Sequence, residues 1–257
     1  FIYIKCMWQQ YLKRIKCLNQ AIKIDQETLI TLHQQHVLNI PFEVLDIHFN
    51  IPFELNFEAI YNKVVNRKRG GFCYELNYLF YKLLIHLGFE AHIISSRIYD
   101  NKGLLGPEYD HMSILVELNT ELWLLDVGYG DLFISPLKMA GQLVTKNWFK
   151  YFLIENTAPN NYLLSESVDG NLFTKRYQFS TIPRKISDFK TQFEFKKNSP
   201  DSHFVQNLIC TLPHKTGRNS IVNNQHIITH NGLKTNTFIK DKVELSTLLK
   251  EQFNIYI

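Results

Sequence analysis

The spacing of apolar residues predicts helices in the first ninety residues. Apolar side chains recur there every three or four positions, which is the spacing of one face of an α-helix. Asp25 and Asn56 are residue types that cap helix starts, and Gly88 is typical of a helix end. The predicted helices span residues 11–18, 26–38, 57–65 and 73–87.

Beyond residue 90 the period changes to two, which indicates strands. Asp169-Gly170 and Asn231-Gly232 each stand between two such stretches and predict two-residue hairpin turns. The predicted strands span residues 91–99, 111–118, 121–127, 163–168, 171–179, 225–230 and 233–239, and a last helix spans residues 242–253. Helices first, then strands, then both together predict an α+β fold rather than alternating βαβ units.

Composition and charge exclude several classes of protein. The chain has 257 residues, 45% apolar and 14% aromatic, which is unlike a disordered chain. Its longest apolar run is four residues, well short of the roughly 18–20 that cross a membrane, and no segment resembles a signal peptide. The net charge of +4 is too small to indicate nucleic-acid binding. We therefore expect neither a membrane nor a nucleic acid as partner.

The cysteines point to one candidate nucleophile. The chain contains four widely spaced cysteines, Cys6, Cys17, Cys73 and Cys210. Without a Cys-x-x-Cys motif they predict free thiols in a reducing compartment, so we expect a cytoplasmic protein. Cys73 differs from the others because it begins a predicted helix directly after Gly70 and Gly71. The helix dipole favours a thiolate there, and the glycines are expected to leave space for a substrate beside the sulfur.

A cysteine nucleophile needs a base, and the base needs an orienting group. If residues 119–120 form a two-residue turn, Asp126 faces Ser113 across the hairpin, and His111 is its diagonal neighbour on the same face. An imidazole–carboxylate hydrogen bond is then within reach. Without Cys73, we would favour His111 as a strand-end histidine and Asp126 as a turn residue, but together with Cys73 they predict a Cys–His–Asp arrangement.

Four motifs carry a resemblance to a known family. Residues 69–77, with the sequence RGGFCYELN, resemble the signature of the arylamine N-acetyltransferases. Residues 40–43 with 45–47, 111–113 and 126–130 resemble further motifs of this family, in its order and at its spacing. The clear resemblance covers about residues 29–133 and weakens afterwards.

The resemblance implies a Cys73–His111–Asp126 triad on a fold whose first two parts are similar to the core of cysteine proteinases. The expected parts are a helical bundle at residues 1–90, an antiparallel β-barrel at 91–195 and a C-terminal α/β lid at 196–257. It also implies a two-step reaction with acetyl-CoA as cosubstrate. Cys73 takes the acetyl group, coenzyme A leaves, and a small aromatic amine or hydrazine accepts the acetyl group from the cysteine.

The resemblance also assigns residues around the triad. Positions similar to those lining the family's acceptor pocket are Phe42, Tyr129, Gly130 and Phe204, with plain core packing as the alternative. Residues expected to support the site structurally are Glu43, Arg69, Gly70, Gly71, Glu75 and Asn77. Within this group, we expect Glu43 and Arg69 to form an ion pair and Glu75 and Asn77 to be hydrogen-bonded scaffold.

Other interpretations stay open at this point. A thiol hydrolase or transglutaminase-like enzyme, an amide synthase of the same family, or an arylamine-binding protein on the same scaffold would share these motifs. His33 with His36, and His226 with His230, lack a third ligand nearby, so no metal site is expected. We interpret the six residues before Met7 as an extension of the chain. The oligomeric state is left open.

Overall fold

The structure is a computed structural model that describes the backbone of residues 2–257 and the side chains from Cys6 onward. Most of the six-residue extension therefore lies outside the described side chains. The helices are α1 (Ile2–Arg14), α2 (Gln26–Asn39), α3 (Leu45–His48), α4 (Phe57–Tyr61), α5 (Cys73–Leu87), α6 (Lys190–Asn198), α7 (His203–Gln206) and α8 (Lys242–Phe253). A π-helical turn (Asn62–Asn66) follows α4, and a 3-10 turn (Ile186–Phe189) precedes α6.

Capping explains most helix boundaries. The Asp25 carboxylate accepts a hydrogen bond from the Thr28 amide at the start of α2, and Asn56 does the same for Ala59 in α4. Gly88 ends α5 in the left-handed conformation, as predicted.

The first predicted helix was misplaced, because α1 begins earlier and ends at Arg14. Lys16 adopts a left-handed conformation with φ of 61°, and the Cys17 amide bonds back to the Leu12 carbonyl. This is a helix-ending motif usually made by glycine. Because a lysine stands where glycine is usual, the sequence did not indicate that the helix ends here.

Two antiparallel sheets contain the strands. The eight-stranded sheet has the order β5-β4-β3-β2-β9-β8-β7-β6, and the five-stranded sheet has the order β1-β10-β11-β12-β13. The strands are β1 (Phe42–Glu43), β2 (Glu90–Ile98), β3 (His111–Leu118), β4 (Glu121–Leu125), β5 (Leu137–Lys138), β6 (Thr145–Asn147), β7 (Lys150–Ala158), β8 (Asn161–Ser167), β9 (Thr174–Ser180), β10 (Ile209–His214), β11 (Gly217–Val222), β12 (Gln225–His230) and β13 (Leu233–Phe238).

Two of the three hairpins formed by predicted strands have the predicted register. Leu118 pairs with Glu121 in β3–β4, so Asn119 and Thr120 form the two-residue turn, both with positive φ. His230 pairs with Leu233 in the same way in β12–β13. The two-residue turn predicted at Asp169-Gly170 is wrong. Those residues lie within a six-residue loop, 168–173, whose start is fixed because the Asp169 carboxylate accepts the amides of Asn171 and Leu172.

The fold class is confirmed as α+β, with helices at both ends and a nearly closed antiparallel barrel between them. Helix α5 packs on β2 and β3 in a core that joins the N-terminal helices to the larger sheet. The opposite face of that sheet encloses a second core. No helix within residues 2–257 is long and apolar enough to span a membrane. The division at residues 90 and 195 stays a prediction, and β1 pairs with β10 across it.

Candidate active site

Cys73 is the first residue of α5 and is buried, with 3% of its surface exposed. The turn after β4 packs directly against its backbone. A Cβ atom added to Gly128 would lie 2.7 Å from the Cys73 Cα atom, so this close approach requires glycine. The end of β4 is thereby held beside the start of α5.

His111 and Asp126 form the predicted hydrogen-bonded pair. The His111 Nε2 and Asp126 Oδ2 atoms lie 2.6 Å apart, and both side chains are almost fully buried. Burial lowers the pKa of His111, but the Asp126 carboxylate and the Cys73 side chain, which hydrogen-bonds the imidazole, raise it to about 10. Since Nε2 is engaged by Asp126, Nδ1 is the ring nitrogen left for the sulfur.

Asp126 is itself held from several sides. Its Oδ1 atom accepts hydrogen bonds from the Asn77 amide group at 2.9 Å and from the Gly128 backbone N–H at 3.0 Å. Asn77 also donates to the Met112 carbonyl and accepts from the Val127 N–H. Asn77 therefore ties α5 to both strands of the hairpin. The backbone N–H of Asp126 donates to His33 Nε2 at 3.1 Å.

Beneath the cysteine loop lies a buried cluster of charges. Arg69 pairs with Glu43 at 2.9 Å, as predicted, and also with Asp46 at 2.8 Å. Lys63 pairs with Asp46 at 3.0 Å and with Glu75 at 2.9 Å. Burial raises the pKa of Glu75 against the opposing effect of Lys63.

Lys63 and Asp46 also belong to this cluster and were not predicted from the sequence. Lys63 directly precedes Val64, so the two residues do not share a helical face, and the spacing of apolar residues did not indicate that Lys63 is buried.

The two glycines before Phe72 allow the cysteine loop to pack closely. A Cβ atom on Gly70 would lie 2.0 Å from the Pro41 carbonyl oxygen, and one on Gly71 would lie 2.8 Å from Glu75 Oε2. Pro41 and Glu75 thus occupy the space next to the glycines, and the expectation that the glycines leave space for a substrate beside the sulfur stays a prediction. The Glu75 carboxylate also accepts the Phe72 N–H and so caps α5.

A cavity of about 560 Å³ opens at Cys73 and His111. It is also lined by the four residues predicted for the acceptor pocket, Phe42, Tyr129, Gly130 and Phe204. The Tyr129 ring lies edge-on to His111 at 5.5 Å between centroids, and the Phe42 and Phe204 rings lie 5.9 Å apart. The volume and the aromatic walls suit a small flat ligand.

Two cationic side chains of this cavity could not be assigned to it from the sequence. Arg176 lies 5.2 Å from the centre of the Tyr129 ring, and Lys196 pairs with Asp110 at 2.8 Å. Arg176 is the extra residue of a β-bulge, because Leu164 pairs with Tyr177 whereas the next residue of β8 pairs with Lys175. Bulges of this kind redirect a side chain and are invisible to a period-two pattern.

His33 and His36 each have a hydrogen-bond partner within the protein. His36 hydrogen-bonds the Tyr11 hydroxyl at 2.9 Å, and His33 bonds the Ile134 carbonyl at 2.8 Å. Among the residues whose side chains are described, no group of three or more His, Cys, Asp or Glu is placed to hold a metal ion.

Comparisons with known proteins agree over nearly the whole chain. A family model described as N-acetyltransferase matches residues 25–257. An arylamine N-acetyltransferase 1 of Bos taurus is 30% identical, with 95% of this chain and 92% of that protein covered. The solved arylamine N-acetyltransferase from Salmonella typhimurium has a TM-score of 0.89 at 26% identity, covering 97% of this chain and 91% of that one. The Mycobacterium marinum enzyme, solved in complex with CoA, has a TM-score of 0.87 at 25% identity, covering 96% and 92%.

Proposed function

Because the chain belongs to the arylamine N-acetyltransferase family, we propose that it transfers an acetyl group from acetyl-CoA to small aromatic amines or hydrazines through an acetylated Cys73. The observation that carries this proposal is the contact of Cys73 with a His111–Asp126 pair at the floor of an aromatic cavity. Family membership supports acyl transfer, and the geometry supports these three residues as its machinery.

The first half-reaction forms the acetyl-enzyme. His111 holds the proton of Cys73, and the sulfur attacks the carbonyl carbon of the thioester. As the new carbon–sulfur bond forms, the carbonyl electron pair moves onto the oxygen. When the carbonyl re-forms, the bond to coenzyme A breaks, and the leaving sulfur takes the proton from His111. The negative oxygen is stabilised by backbone N–H groups at the start of α5, of which the Cys73 N–H is nearest the reacting sulfur.

The second half-reaction transfers the acetyl group to the acceptor. The amine nitrogen attacks the acetyl carbon and loses a proton to His111, and the bond to the Cys73 sulfur breaks. Asp126 orients the imidazole and stabilises its protonated form at each step. The rings of Phe42, Tyr129 and Phe204 would flank a flat acceptor.

Support for acetyl-CoA as the acetyl donor comes from a solved relative. The Mycobacterium marinum enzyme binds CoA, and its likeness to this chain supports coenzyme A as the acyl carrier here. Arg176 and Lys196, which share the cavity lining with three aspartates, are the cations we propose to contact the phosphates of the cosubstrate. All four cysteines are free thiols, which is typical of a reducing compartment, so we propose a cytoplasmic location.

The test is acetylation of aniline and phenylhydrazine by the full chain with acetyl-CoA, followed by chromatography of the N-acetyl products. The wild-type protein should form both products. Cys73→Ala should lower the rate by roughly three orders of magnitude or more, because the nucleophile is lost. The matched control is Cys6→Ala, which removes an exposed thiol remote from the cavity and should leave the rate unchanged.

Three outcomes would contradict the proposal. Release of free acetate without N-acetyl products would indicate a thiol hydrolase. Binding of aniline that is unaffected by Cys73→Ala, with no turnover by the wild type, would indicate a binding protein. Equal rates for the wild type and Cys73→Ala would show that another group reacts.

A further inference from the structure

His33 is a buried residue of α2 that has no role in the reaction described above. None of its surface is exposed. Its ring is stacked on Phe133, with 5.7 Å between centroids, and faces the edge of Phe80 at 6.0 Å. Packing alone would be served as well by an apolar side chain of similar size, so the two ring nitrogens need an explanation.

The hydrogen bonds of His33 determine its tautomer. Nδ1 lies 2.8 Å from the Ile134 carbonyl oxygen, which can only accept, so Nδ1 carries a proton. Nε2 lies 3.1 Å from the Asp126 backbone N–H, which can only donate, so Nε2 carries none. A single neutral tautomer therefore satisfies both partners, and a protonated ring would lose the bond to Asp126.

The electrostatic surroundings keep His33 neutral. Burial lowers its pKa to about 4, despite the opposing effects of the Ile134 carbonyl and of Asp126. His36, one turn further along α2, is also kept neutral, because burial and the neighbouring His33 lower its pKa. Helix α5 and the loop after β4 present the uncharged rings of Phe80 and Phe133. The acceptor on Nε2 is thus available across the neutral pH range.

We propose that His33 is a positioning residue for acyl transfer, which fixes the backbone of Asp126 from α2 so that its carboxylate meets His111. Asn77 and Gly128 hold the Asp126 carboxylate, whereas His33 holds its main chain. Without that acceptor a buried N–H is left unsatisfied, and residue 126 can relieve this only by moving away from the imidazole. This inference rests on the proposed function, because it acts through the His111–Asp126 pair.

Two substitutions separate the two hydrogen bonds of His33. An Asn side chain places its amide nitrogen where Nδ1 stands, so His33→Asn keeps the bond to Ile134 and loses the acceptor for Asp126. A Gln side chain places its amide oxygen where Nε2 stands, so His33→Gln keeps the acceptor and loses the donor. Each variant loses one buried hydrogen bond, so both should lose a similar amount of stability. A difference in activity between them therefore reflects which hydrogen bond was lost.

The readout is the pH profile of Cys73 alkylation by iodoacetamide, followed on the peptide that contains Cys73, together with kcat/KM for aniline. A displaced Asp126 stabilises protonated His111 less, so the thiolate–imidazolium pair gives way to a thiol beside a neutral imidazole. The thiolate that reacts with iodoacetamide then forms at higher pH. His33→Asn should move the alkylation midpoint up by about one pH unit and lower kcat/KM about tenfold. His33→Gln should stay within about twofold of the wild type.

A purely structural role predicts a different result, in which both variants lose thermal stability and neither moves the alkylation midpoint. That result, or equal shifts in both variants, would overturn the inference. Failure of the proposed function is distinguishable, since the wild-type protein itself would then form no N-acetyl product.

Should His33→Asn fail to fold, the wild-type protein still provides a test. Nuclear magnetic resonance of the ¹⁵N-labelled chain should show His33 as the Nδ1-protonated tautomer between pH 6 and 8, with a coupling across the hydrogen bond from the Asp126 amide. A charged ring, or the opposite tautomer, would overturn the inference.

Discussion

At the scale of single residues, the account depends most on the charge of Asp126. Its carboxylate makes the largest contribution, ahead of that of Cys73, to raising the pKa of His111 to about 10 against the effect of burial. A protonated imidazole beside Cys73 is what makes the sulfur a nucleophile at neutral pH. The contribution of Asp126 is therefore one of charge as well as orientation.

Asp126→Asn keeps the size of the side chain and removes its charge. The pKa of His111 should fall, and kcat should drop by roughly three to four orders of magnitude, as measured in a pH series of aniline acetylation. Asp110→Asn is the matched control, because Asp110 lines the same cavity but pairs with Lys196 instead. An equal loss in both variants would contradict a specific role for Asp126.

At the scale of elements, the start of α5 depends on charges buried beneath it. Lys63, on the π-helical turn after α4, bonds both oxygens of Glu75, at 2.9 and 3.1 Å. Glu75 in turn caps the helix that carries Cys73. The position of the nucleophile is thus coupled to an ion pair on its far side.

Lys63→Met should lower the free energy of unfolding by about 3–5 kcal/mol, because it leaves Glu75 buried without a cation and Asp46 with Arg69 alone. The double variant Lys63→Met with Glu75→Gln should lose less than the sum of the single losses. Urea denaturation measures both quantities.

Lys150→Met serves as the control for Lys63→Met. Lys150 is partly exposed and pairs with Asp131 and Glu166 at 3.3 and 3.2 Å, so its loss should cost less than about 1 kcal/mol. Similar losses for Lys63→Met and Lys150→Met would contradict the importance of burial.

The sequence predicted those elements and contacts that follow from local rules. Asp25 and Gly88 mark helix ends by their own chemistry, and the turn at residues 119–120 sets the register that places His111 beside Asp126. Arg176 enters the cavity through a bulge, which depends on how two distant strands pair. Lys63 meets Asp46 and Glu75 only after α3, the π-helical turn and α5 have packed together.

At the scale of the whole molecule, the pH range of greatest stability should be set by buried histidines whose pKa values are shifted in opposite directions. Burial lowers the pKa of His33 to about 4 and that of His36 well below its usual value. The pKa of His111 is raised to about 10. An unfolded histidine titrates near 6.5, between these values.

The signs follow from proton linkage. Below pH 6.5, His33 and His36 bind protons in the unfolded chain but stay neutral in the folded protein. Lowering the pH therefore lowers the free energy of unfolding. Above pH 6.5 folded His111 keeps a proton that the unfolded chain releases, so its stabilising contribution is lost as the pH rises towards 10. Stability should therefore be greatest near pH 6.5, with a slope of about 1.4 kcal/mol per pH unit for each titrating group.

Urea denaturation at pH 5, 6.5 and 8.5 tests this expectation. His33→Gln should flatten the acid side, and His111→Gln should flatten the alkaline side. A free energy of unfolding that rises steadily from pH 5 to 8.5 would contradict the assignment.

The central claim is that Cys73 carries the acetyl group between two substrates. Its most direct test is the intact mass of the full chain after incubation with acetyl-CoA and no acceptor, followed by peptide mapping. The account predicts one acetyl group on Cys73, which disappears when aniline is added. No adduct in a folded protein with His111 and Asp126 intact, or an adduct on another residue, would contradict it.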